Sequence, residues 1–198
     1  CALPIYHVIS ADDQGFLRIS GSEGERGGCQ RHRLLDERWI ETHDQVIGQE
    51  TRGEVHARKL LHRAVHVFVF NKRGDLLLQK RSLLKDAHPG VWDSSVSGHL
   101  DAGEDYAAAA IRELDEEMGI RVESAPEEIA RIAPCEATGW EHVRLFRTKY
   151  DGNLRFPSAE IDAAMWFPVS EIETWIANRP ADFATGFLEC WKAGKPVA

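Results

Sequence analysis

The 198-residue chain lacks paired cysteine motifs, long apolar runs and an excess of positive charge. Its four cysteines (Cys1, Cys29, Cys135 and Cys190) lie far apart with no CxxC pair, which argues against structural zinc or disulfides and predicts free thiols in a reducing cytoplasm. No apolar stretch approaches the roughly 18 residues of a spanning helix, so we expect no membrane segment. The net charge of −8 disfavours broad binding to nucleic acid or to membranes.

The first 33 residues differ in composition from the rest of the chain. Residues 20–33, SGSEGERGGCQRHR, are rich in glycine and charge and contain almost no residues suited to a core. The opening CALPI lacks the basic and apolar regions of a signal peptide. We therefore expect residues 1–33 to be disordered or not native to the protein. The 43% hydrophobic content suffices for residues 34–198 to form a single domain with a core.

From residue 34 onward, apolar segments alternate with turns and predict a mixed sheet flanked by helices. Strands are expected over 64–70, 76–81, 92–97, 129–132, 143–149 and 164–167, with an earlier hairpin formed by 39–42 and 46–51 around Asp44. Helices are expected over 53–61, after Glu104, from a cap at Ser170 to about residue 178, and from Pro180 to residue 192. This order predicts an α/β fold, arranged as a three-layer α/β/α sandwich.

Residues 98–120, GHLDAGEDYAAAAIRELDEEMGI, carry the most informative pattern in the chain. Apolar residues recur at helical spacing along one stripe, and Gly119 would end the helix; the stripe comprises Ala107, Ala110, Ile111, Leu114 and Met118. Glu113, Glu116 and Glu117 fall at i, i+3 and i+4, so their carboxylates are neighbours on what we expect to be a surface-facing side. Such carboxylates repel one another, and a hard divalent cation would relieve the repulsion. An ordinary solvated acidic helix face is the alternative.

The spacing of this segment resembles the Nudix box, the signature of metal-dependent hydrolases that cut diphosphate linkages. The matching residues are Gly98, Glu104, Arg112, Glu113, Leu114, Glu116, Glu117, Gly119 and Ile120. The resemblance implies the Nudix fold and a site for Mg²⁺ or Mn²⁺. Its metal ligands would be Glu113, Glu116, Glu117 and the Gly98 carbonyl, with Arg112 orienting the glutamates through Glu104.

A wider resemblance, over about residues 34–191, is to isopentenyl-diphosphate isomerases and their hydrolase relatives. It is carried by Leu61-His62-Arg63-Ala64, by Arg81 and Lys85 four residues apart, by Pro89-Gly90-Val91-Trp92 and by Ser97-Gly98-His99. It implies that Arg81 and Lys85 hold a diphosphate, as an arginine fork and a lysine point charge can. His56, His62 and His99 match or nearly match isomerase metal ligands, although His56 is one position out of register. In a hydrolase these histidines would instead serve the core or the substrate, with His99 as a substrate-binding residue.

Ser97 stands where the isomerases have a catalytic cysteine. A serine hydroxyl without an activating base is a much weaker acid than a thiol, which disfavours the proton transfers of an alkene isomerisation. The isomerases also have a degraded Nudix box, whereas this chain retains all three helical glutamates. Both differences indicate chemistry at phosphorus.

The residue that activates the attacking water is left open between three glutamates. Glu113 belongs to the box, Glu141 aligns approximately with an isomerase carboxylate, and Glu160 precedes the strand of Trp166 in a loop where many Nudix hydrolases keep a further glutamate. A merely exposed structural role is the alternative for Glu141 and Glu160. Phe68, Trp92 and Trp140 are candidates to stack on a base, although burial is the commoner fate of an aromatic residue.

The sequence therefore predicts a cytoplasmic Nudix hydrolase that cleaves a nucleoside diphosphate derivative or a similar organic diphosphate. We expect a small-molecule substrate, no nucleic-acid or membrane partner, and a possible homodimer. One alternative is an isopentenyl-diphosphate isomerase with Ser97 in place of cysteine. The other is a non-catalytic nucleotide-binding module, which would not need Arg112 together with three glutamates.

Overall fold

Two helical layers enclose a mixed β-sheet in the computed structural model, which describes residues 36–37, 44–85 and 87–195. The strands are β1 (Asp36–Glu37), β2 (Glu50–Thr51), β3 (His62–Phe70), β4 (Leu76–Arg81), β5 (Trp92–Asp93), β6 (Val96–His99), β7 (Glu127–Ile132), β8 (Glu141–Lys149) and β9 (Ile161–Phe167). The helices are α1 (Arg52–Ala57), α2 (Tyr106–Met118), α3 (Val169–Asn178) and α4 (Thr185–Ala193), with short 3-10 turns at Glu136–Thr138 and Pro180–Asp182. None of these helices is both long and apolar enough to cross a membrane.

Strand β3 is the centre of the seven-stranded sheet. It pairs in parallel with β8 along its whole length and in antiparallel with β6 over residues 64–67. Near its end it meets β4, which also pairs with β5 and β9, while β7 extends the sheet beyond β8. The β-branched and aromatic run of β3 suits this doubly covered position.

Successive residues of β3 point into two different cores because side chains alternate across a strand. Val65, Val67 and Val69 belong to the cluster that packs against α2. Ala64 and Phe68 belong to the cluster formed with α3 and α4. The sheet is thus covered on both faces, and the predicted three-layer α/β/α sandwich is confirmed.

Helix α2 has a side-chain cap at its start and a glycine at its end. The Asp105 carboxylate accepts a hydrogen bond from the Ala108 backbone N–H at 2.8 Å, and Gly119 has φ of +65°, a conformation that glycine adopts without strain. The predicted apolar stripe is partly wrong, since Ile111 is 36% exposed. Glu113 and Glu117 lie on the buried side instead, beside the pairing of β3 with β6.

Several predicted boundaries are corrected by the structure. Strand β2 covers two residues and pairs with Asp36–Glu37, while the predicted strand 39–42 and the segment 1–33 lie outside the described residues. Helix α3 begins at Val169 after Pro168, so Ser170 lies within its first turn and is not the cap. Pro180 opens a 3-10 turn, not the last helix. Residues 183–184 are extended because they bond to the backbone of Trp92, which delays α4 until Thr185.

Asp44 joins both central strands to α2. Its Oδ1 accepts hydrogen bonds from Arg63 Nε at 2.6 Å and from the Tyr106 hydroxyl at 2.9 Å, and its Oδ2 accepts one from Arg144 at 3.0 Å. Burial alone would raise the pKa of Asp44, but these donors outweigh it and lower the pKa below its ordinary value. The carboxylate therefore stays charged and satisfies two arginines that flank the Tyr106 ring.

We expect Asp44→Ala to lower the free energy of unfolding by about 1–3 kcal/mol, because two partly buried guanidinium groups each lose a carboxylate acceptor. Asp44→Asn is the matched control, since asparagine tolerates the positive φ of this position and keeps one acceptor oxygen. It should lose less. Urea denaturation measures both variants, and an alanine variant within about 0.5 kcal/mol of the unmodified protein would contradict the structural role.

Candidate active site

Strand β6 and helix α2 bring the predicted carboxylates together. Gly98 pairs with Val65 of β3, so it faces the α2 layer. A Cβ atom added to Gly98 would overlap the carboxylate of Glu113, which occupies the space a side chain would fill. Glycine is therefore required at this position for Glu113 to reach β6.

The guanidinium group of Arg112 connects the carboxylates to one another. Its Nε and Nη2 donate to the two oxygens of Glu104 at 2.9 and 2.8 Å, and its Nη1 donates to Glu113 at 2.6 Å and to Glu116 at 3.1 Å. Nη2 also donates to the main-chain oxygen of His99 at 2.8 Å. Arg112 therefore contacts Glu104 and two of the helical glutamates at once, and its orienting role through Glu104 stays a prediction.

Glu117 is held by two hydrogen bonds from outside the helix. Its Oε2 accepts from the Gln79 side-chain amide and from the Ser97 backbone N–H, both at 3.0 Å. Gln79 is buried in β4 and was missed by the sequence analysis. In the sequence, the available signal was a polar residue that directly follows three leucines in a predicted strand. Alternation along the strand places it on the same face as Leu77, which packs in the core against α2.

Burial makes the ionised forms of two of these glutamates unfavourable in the absence of a cation. Burial and the nearby Glu113 carboxylate raise the pKa of Glu117 to about 8. Burial also raises the pKa of Glu113 above its ordinary value, although Arg112 opposes this change. The expectation that Glu117 faces the surface is wrong, because its residue exposure is 8%. Closely spaced, partly desolvated carboxylates fit a hard divalent cation, which prefers oxygen ligands.

Three histidines form a second cluster that could hold a metal ion. The candidate ligand atoms of His56, His62 and His99 all lie within 4.8 Å of one another. His62 is 1% exposed, and its Nε2 has no hydrogen-bond partner among the described residues. The one-residue offset of His56 in sequence does not keep it out of the cluster, since α1 carries it there. The imidazole nitrogens suit a transition metal.

Glu141 completes this histidine cluster. Its Oε1 lies 3.0 Å from His99 Nε2 and 3.6 Å from His62 Nε2. Burial alone would raise the pKa of Glu141, but the two histidines outweigh it and lower the pKa well below its ordinary value. Glu141 therefore remains an anion beside imidazoles, an arrangement suited to ligating a metal and poorly suited to accepting a proton near neutral pH.

The two clusters lie on opposite sides of β6. Gly98 pairs with Val65 in the α2 core, whereas His99 pairs with Ala64 in the core under α3 and α4. They are electrostatically connected, because His99 makes a small contribution that opposes the raised pKa of Glu113.

The residues predicted to hold a diphosphate have protein partners in this structure. Arg81 donates to the carboxylate of Asp93 at 3.1 Å and to the backbone oxygen of Ala87. Lys85 Nζ lies 2.6 Å from Oε2 of Glu160, which immediately precedes β9. Lys85 is also close enough to Glu117 for its charge to favour the ionised form of that carboxylate. Lys85 and Glu160 thus border the carboxylate site, whereas Arg81 is directed to Asp93.

Ser97 has no activating histidine in hydrogen-bond contact among the described residues. Its cross-strand partner is His66, but the His66 Nδ1 atom is 2.7 Å from the hydroxyl of Ser94. Burial lowers the pKa of His66, although Asp93 opposes this change. The backbone N–H of Ser97 donates a hydrogen bond to Glu117 instead.

Comparisons with known proteins agree with this geometry. The NUDIX domain family model matches residues 60–187, and the chain belongs to the Nudix family. An uncharacterized Nudix hydrolase of Pseudomonas aeruginosa is 36% identical over 126 residues, which cover 64% of this chain and 74% of that protein. An isopentenyl-diphosphate Delta-isomerase of Burkholderia multivorans is 35% identical over 163 residues, covering 80% of this chain and 92% of that protein. A solved structure from Deinococcus radiodurans superposes with a TM-score of 0.64 at 26% identity, covering 72% of this chain and 89% of that one.

These relatives place the chain in the isomerase-like branch of the Nudix hydrolases. Its activity is the hydrolysis of a phosphorus-containing anhydride, and the family is generally dependent on divalent metal ions. The predicted family and class of enzyme are thereby confirmed.

The raised pKa of Glu117 predicts how the stability of the metal-free protein depends on pH. Between about pH 4.5 and about pH 8 the folded state retains a proton that the unfolded state has lost. The folded state binds more protons in this interval, so the contribution of Glu117 to the free energy of unfolding falls as pH rises. Glu117→Gln should flatten this decline in urea denaturation with a chelator present. An equally steep decline in the variant would show that Glu117 does not carry the proton.

Proposed function

We propose that the protein hydrolyses a nucleoside diphosphate derivative, or a similar organic diphosphate, with Mg²⁺ or Mn²⁺ as cofactor. The observation that carries the proposal is the arrangement of the three helical glutamates. Glu113 and Glu116 accept from the guanidinium group of Arg112, Glu113 lies over Gly98, and Glu117 accepts from Gln79 and from the backbone of Ser97. On an ordinary solvated acidic face the carboxylates would be exposed. Here Glu113 and Glu117 are buried, and Glu117 accepts hydrogen bonds from strands β4 and β6.

The three helical glutamates, with the Gly98 carbonyl, would hold the cation. When bound, it would neutralise diphosphate oxygens and activate a water for in-line attack on phosphorus. Arg112 fixes the carboxylates before substrate arrives, and Gln79 fixes Glu117 through Oε2. Lys85 would exchange its contact with Glu160 for the substrate diphosphate, and Arg81 would lie behind it on Asp93.

The three candidate bases differ in how readily they could accept a proton. Glu160 is half exposed and borders the carboxylate site through Lys85, so release of that lysine would leave it able to take a proton from water. Glu113 has a raised pKa that favours proton uptake. Glu141 has a lowered pKa and faces the histidine cluster, which favours Glu113 or Glu160 as the base and Glu141 as a ligand beside His56, His62 and His99.

This histidine cluster also favours a second candidate function. Its four residues, together with the similarity to isopentenyl-diphosphate isomerases, support an isomerase whose acid would be Ser97. The Ser97 hydroxyl has an unperturbed pKa many units above the value of about 8.5 for cysteine. Its lack of an activating base is the reason that hydrolysis is the favoured function.

We expect Glu117→Gln and Glu116→Gln each to lower metal-dependent turnover by a factor on the order of 100 or more, about 3 kcal/mol in the barrier, while the protein stays folded. Asp115→Asn is the matched control, because Asp115 lies on the exposed side of the same helix and pairs with Arg121. Turnover is measured as phosphate release from a panel of organic diphosphates with added Mg²⁺. Near-normal turnover by Glu117→Gln would show that these residues do not form the metal site. Saturable binding without turnover in the unmodified protein would indicate a binding module.

The same panel distinguishes hydrolysis from isomerisation through Ser97. We expect no conversion of isopentenyl diphosphate to its allylic isomer, and hydrolysis by Ser97→Ala within roughly tenfold of the unmodified protein, about 1.4 kcal/mol in the barrier. The backbone N–H that serves Glu117 is retained in this variant. Isomer formation by the unmodified protein, or a much larger loss of hydrolysis in a folded Ser97→Ala variant, would make Ser97 a catalytic residue.

A further inference from the structure

Both hydrogen bonds that hold Glu117 end on the same carboxylate oxygen. The side-chain amide of Gln79 in β4 and the backbone N–H of Ser97 in β6 each donate to Oε2 at 3.0 Å. Within the described part of the chain, no protein group donates to Oε1 of this carboxylate. The two oxygens of Glu117 are therefore not equivalent, and Oε1 is the one that is left to a ligand.

The sheet fixes the position of Gln79. Its backbone lies between Asp93 of β5 and Ala164 of β9, and the residue is 1% exposed. An ionised carboxylate only accepts hydrogen bonds, so the amide must present its NH₂ group to Oε2. Because strands flank Gln79 on both sides, its amide is a fixed donor that does not follow a moving carboxylate.

Satisfying the Glu117 carboxylate does not by itself explain a glutamine at this position. The residues just before Gln79, Leu76–Leu78, are fully buried and apolar, and a fourth apolar residue would avoid the cost of burying an amide. Ser97 already supplies a donor to Oε2. A second donor from a different strand restricts the rotation of the carboxylate, which one donor alone would not do. The consequence of Gln79 is therefore control over which oxygen is presented.

Two common divalent cations differ in how many oxygens they take from one carboxylate. Ca²⁺ binds a larger number of oxygen ligands in flexible geometry and accepts both oxygens of one carboxylate. Mg²⁺ is smaller, requires nearly octahedral geometry and keeps several waters. A carboxylate with one oxygen occupied by two fixed donors offers the other oxygen in one direction. This arrangement suits the stricter geometry of Mg²⁺.

We propose that Gln79 is a positioning residue that makes the carboxylate site prefer Mg²⁺ over Ca²⁺, by keeping Oε2 of Glu117 from contacting the cation. The proposal rests on the proposed function, because it concerns the same cation site. It goes further by assigning the choice of cation to a residue that acts only through Glu117. Loss of a group that orients a metal-ligating side chain changes metal affinity by roughly 10- to 100-fold.

The test measures cation binding to the full chain without substrate, as displacement of Mn²⁺ by Mg²⁺ or by Ca²⁺ in an electron paramagnetic resonance titration. The histidine cluster could also take Mn²⁺, so the site is defined as the Mn²⁺ binding that is lost in Glu117→Gln. Gln79→Met keeps an unbranched side chain of similar length and removes the donor. It should weaken Mg²⁺ binding by roughly 10- to 100-fold and leave Ca²⁺ binding within about threefold, because Ca²⁺ can use the released oxygen.

Ser95→Ala is the matched control for the loss of a buried hydrogen bond. The Ser95 hydroxyl is fully buried and bonds within the sheet, donating to the Leu77 carbonyl at 2.6 Å and accepting from the Val69 N–H at 2.8 Å. This variant should lower the melting temperature and leave the ratio of Mg²⁺ to Ca²⁺ affinity unchanged. A purely structural role for Gln79 would give the same pattern in Gln79→Met.

Two further variants separate the selectivity from folding. Gln79→Asn keeps an amide in β4 but is one methylene shorter, so it should lose contact with Oε2 and lower the ratio of Mg²⁺ to Ca²⁺ affinity as Gln79→Met does. In the Glu117→Gln background, Gln79→Met should change neither affinity, because the two substitutions remove the same interaction.

Four results would overturn the proposal: an unchanged affinity ratio in both Gln79 variants, an equal loss of both cations, an effect of Gln79→Met that persists in the Glu117→Gln background, or Mn²⁺ binding that Glu117→Gln leaves intact. Failure of the proposed function is a separate result. It would appear as no phosphate release from any diphosphate while the two cation affinities change as expected.

Discussion

The guanidinium group of Arg112 is the interaction on which the candidate site depends. It binds Glu104, Glu113, Glu116 and the main-chain oxygen of His99 at once, so it joins the loop before α2, the helix itself and strand β6. Burial would lower the pKa of Arg112, but the surrounding carboxylates outweigh it and raise the pKa further. A permanent planar cation is needed here, because a lysine could not donate in so many fixed directions. Without it, the buried carboxylates would repel one another and separate.

Strand β6 connects the carboxylates bound by Arg112 to the histidine cluster, so the candidate site has two parts. Within four residues it donates to Glu117 from Ser97, makes room for Glu113 at Gly98, accepts from Arg112 at His99, and places the His99 ring in the histidine cluster. Alternation along the strand sends these functions to opposite sides. The carboxylate part suits phosphorus chemistry, and the imidazole nitrogens of the histidine part suit a transition metal. The chain therefore combines an intact Nudix box with an imidazole cluster, and residue 97, two positions before His99, is a serine.

The parts of this protein that could be predicted from sequence are those governed by local periodicity. The helix that carries the box, its end at Gly119 and the strand that becomes β3 all follow from spacing within about a dozen residues. Boundaries failed where distant residues intervene. Helix α4 starts later than predicted because Ala184 bonds to Trp92 of a distant strand, and Ile111 is exposed because the helix turns its glutamates toward β6. Gln79 could not be assigned, since its role exists only opposite Glu117.

By itself, the sequence determined the class of chemistry, because three carboxylates, an arginine and a glycine at fixed spacing on one helix and its preceding loop need no tertiary information to be recognised. Only the tertiary structure decided what surrounds them. It buried Glu117 against β4 and gathered His56, His62, His99 and Glu141 from four separate elements. The physical reason is that burial and the pKa of a side chain depend on groups brought near by folding, and nothing in their separation along the chain specifies them.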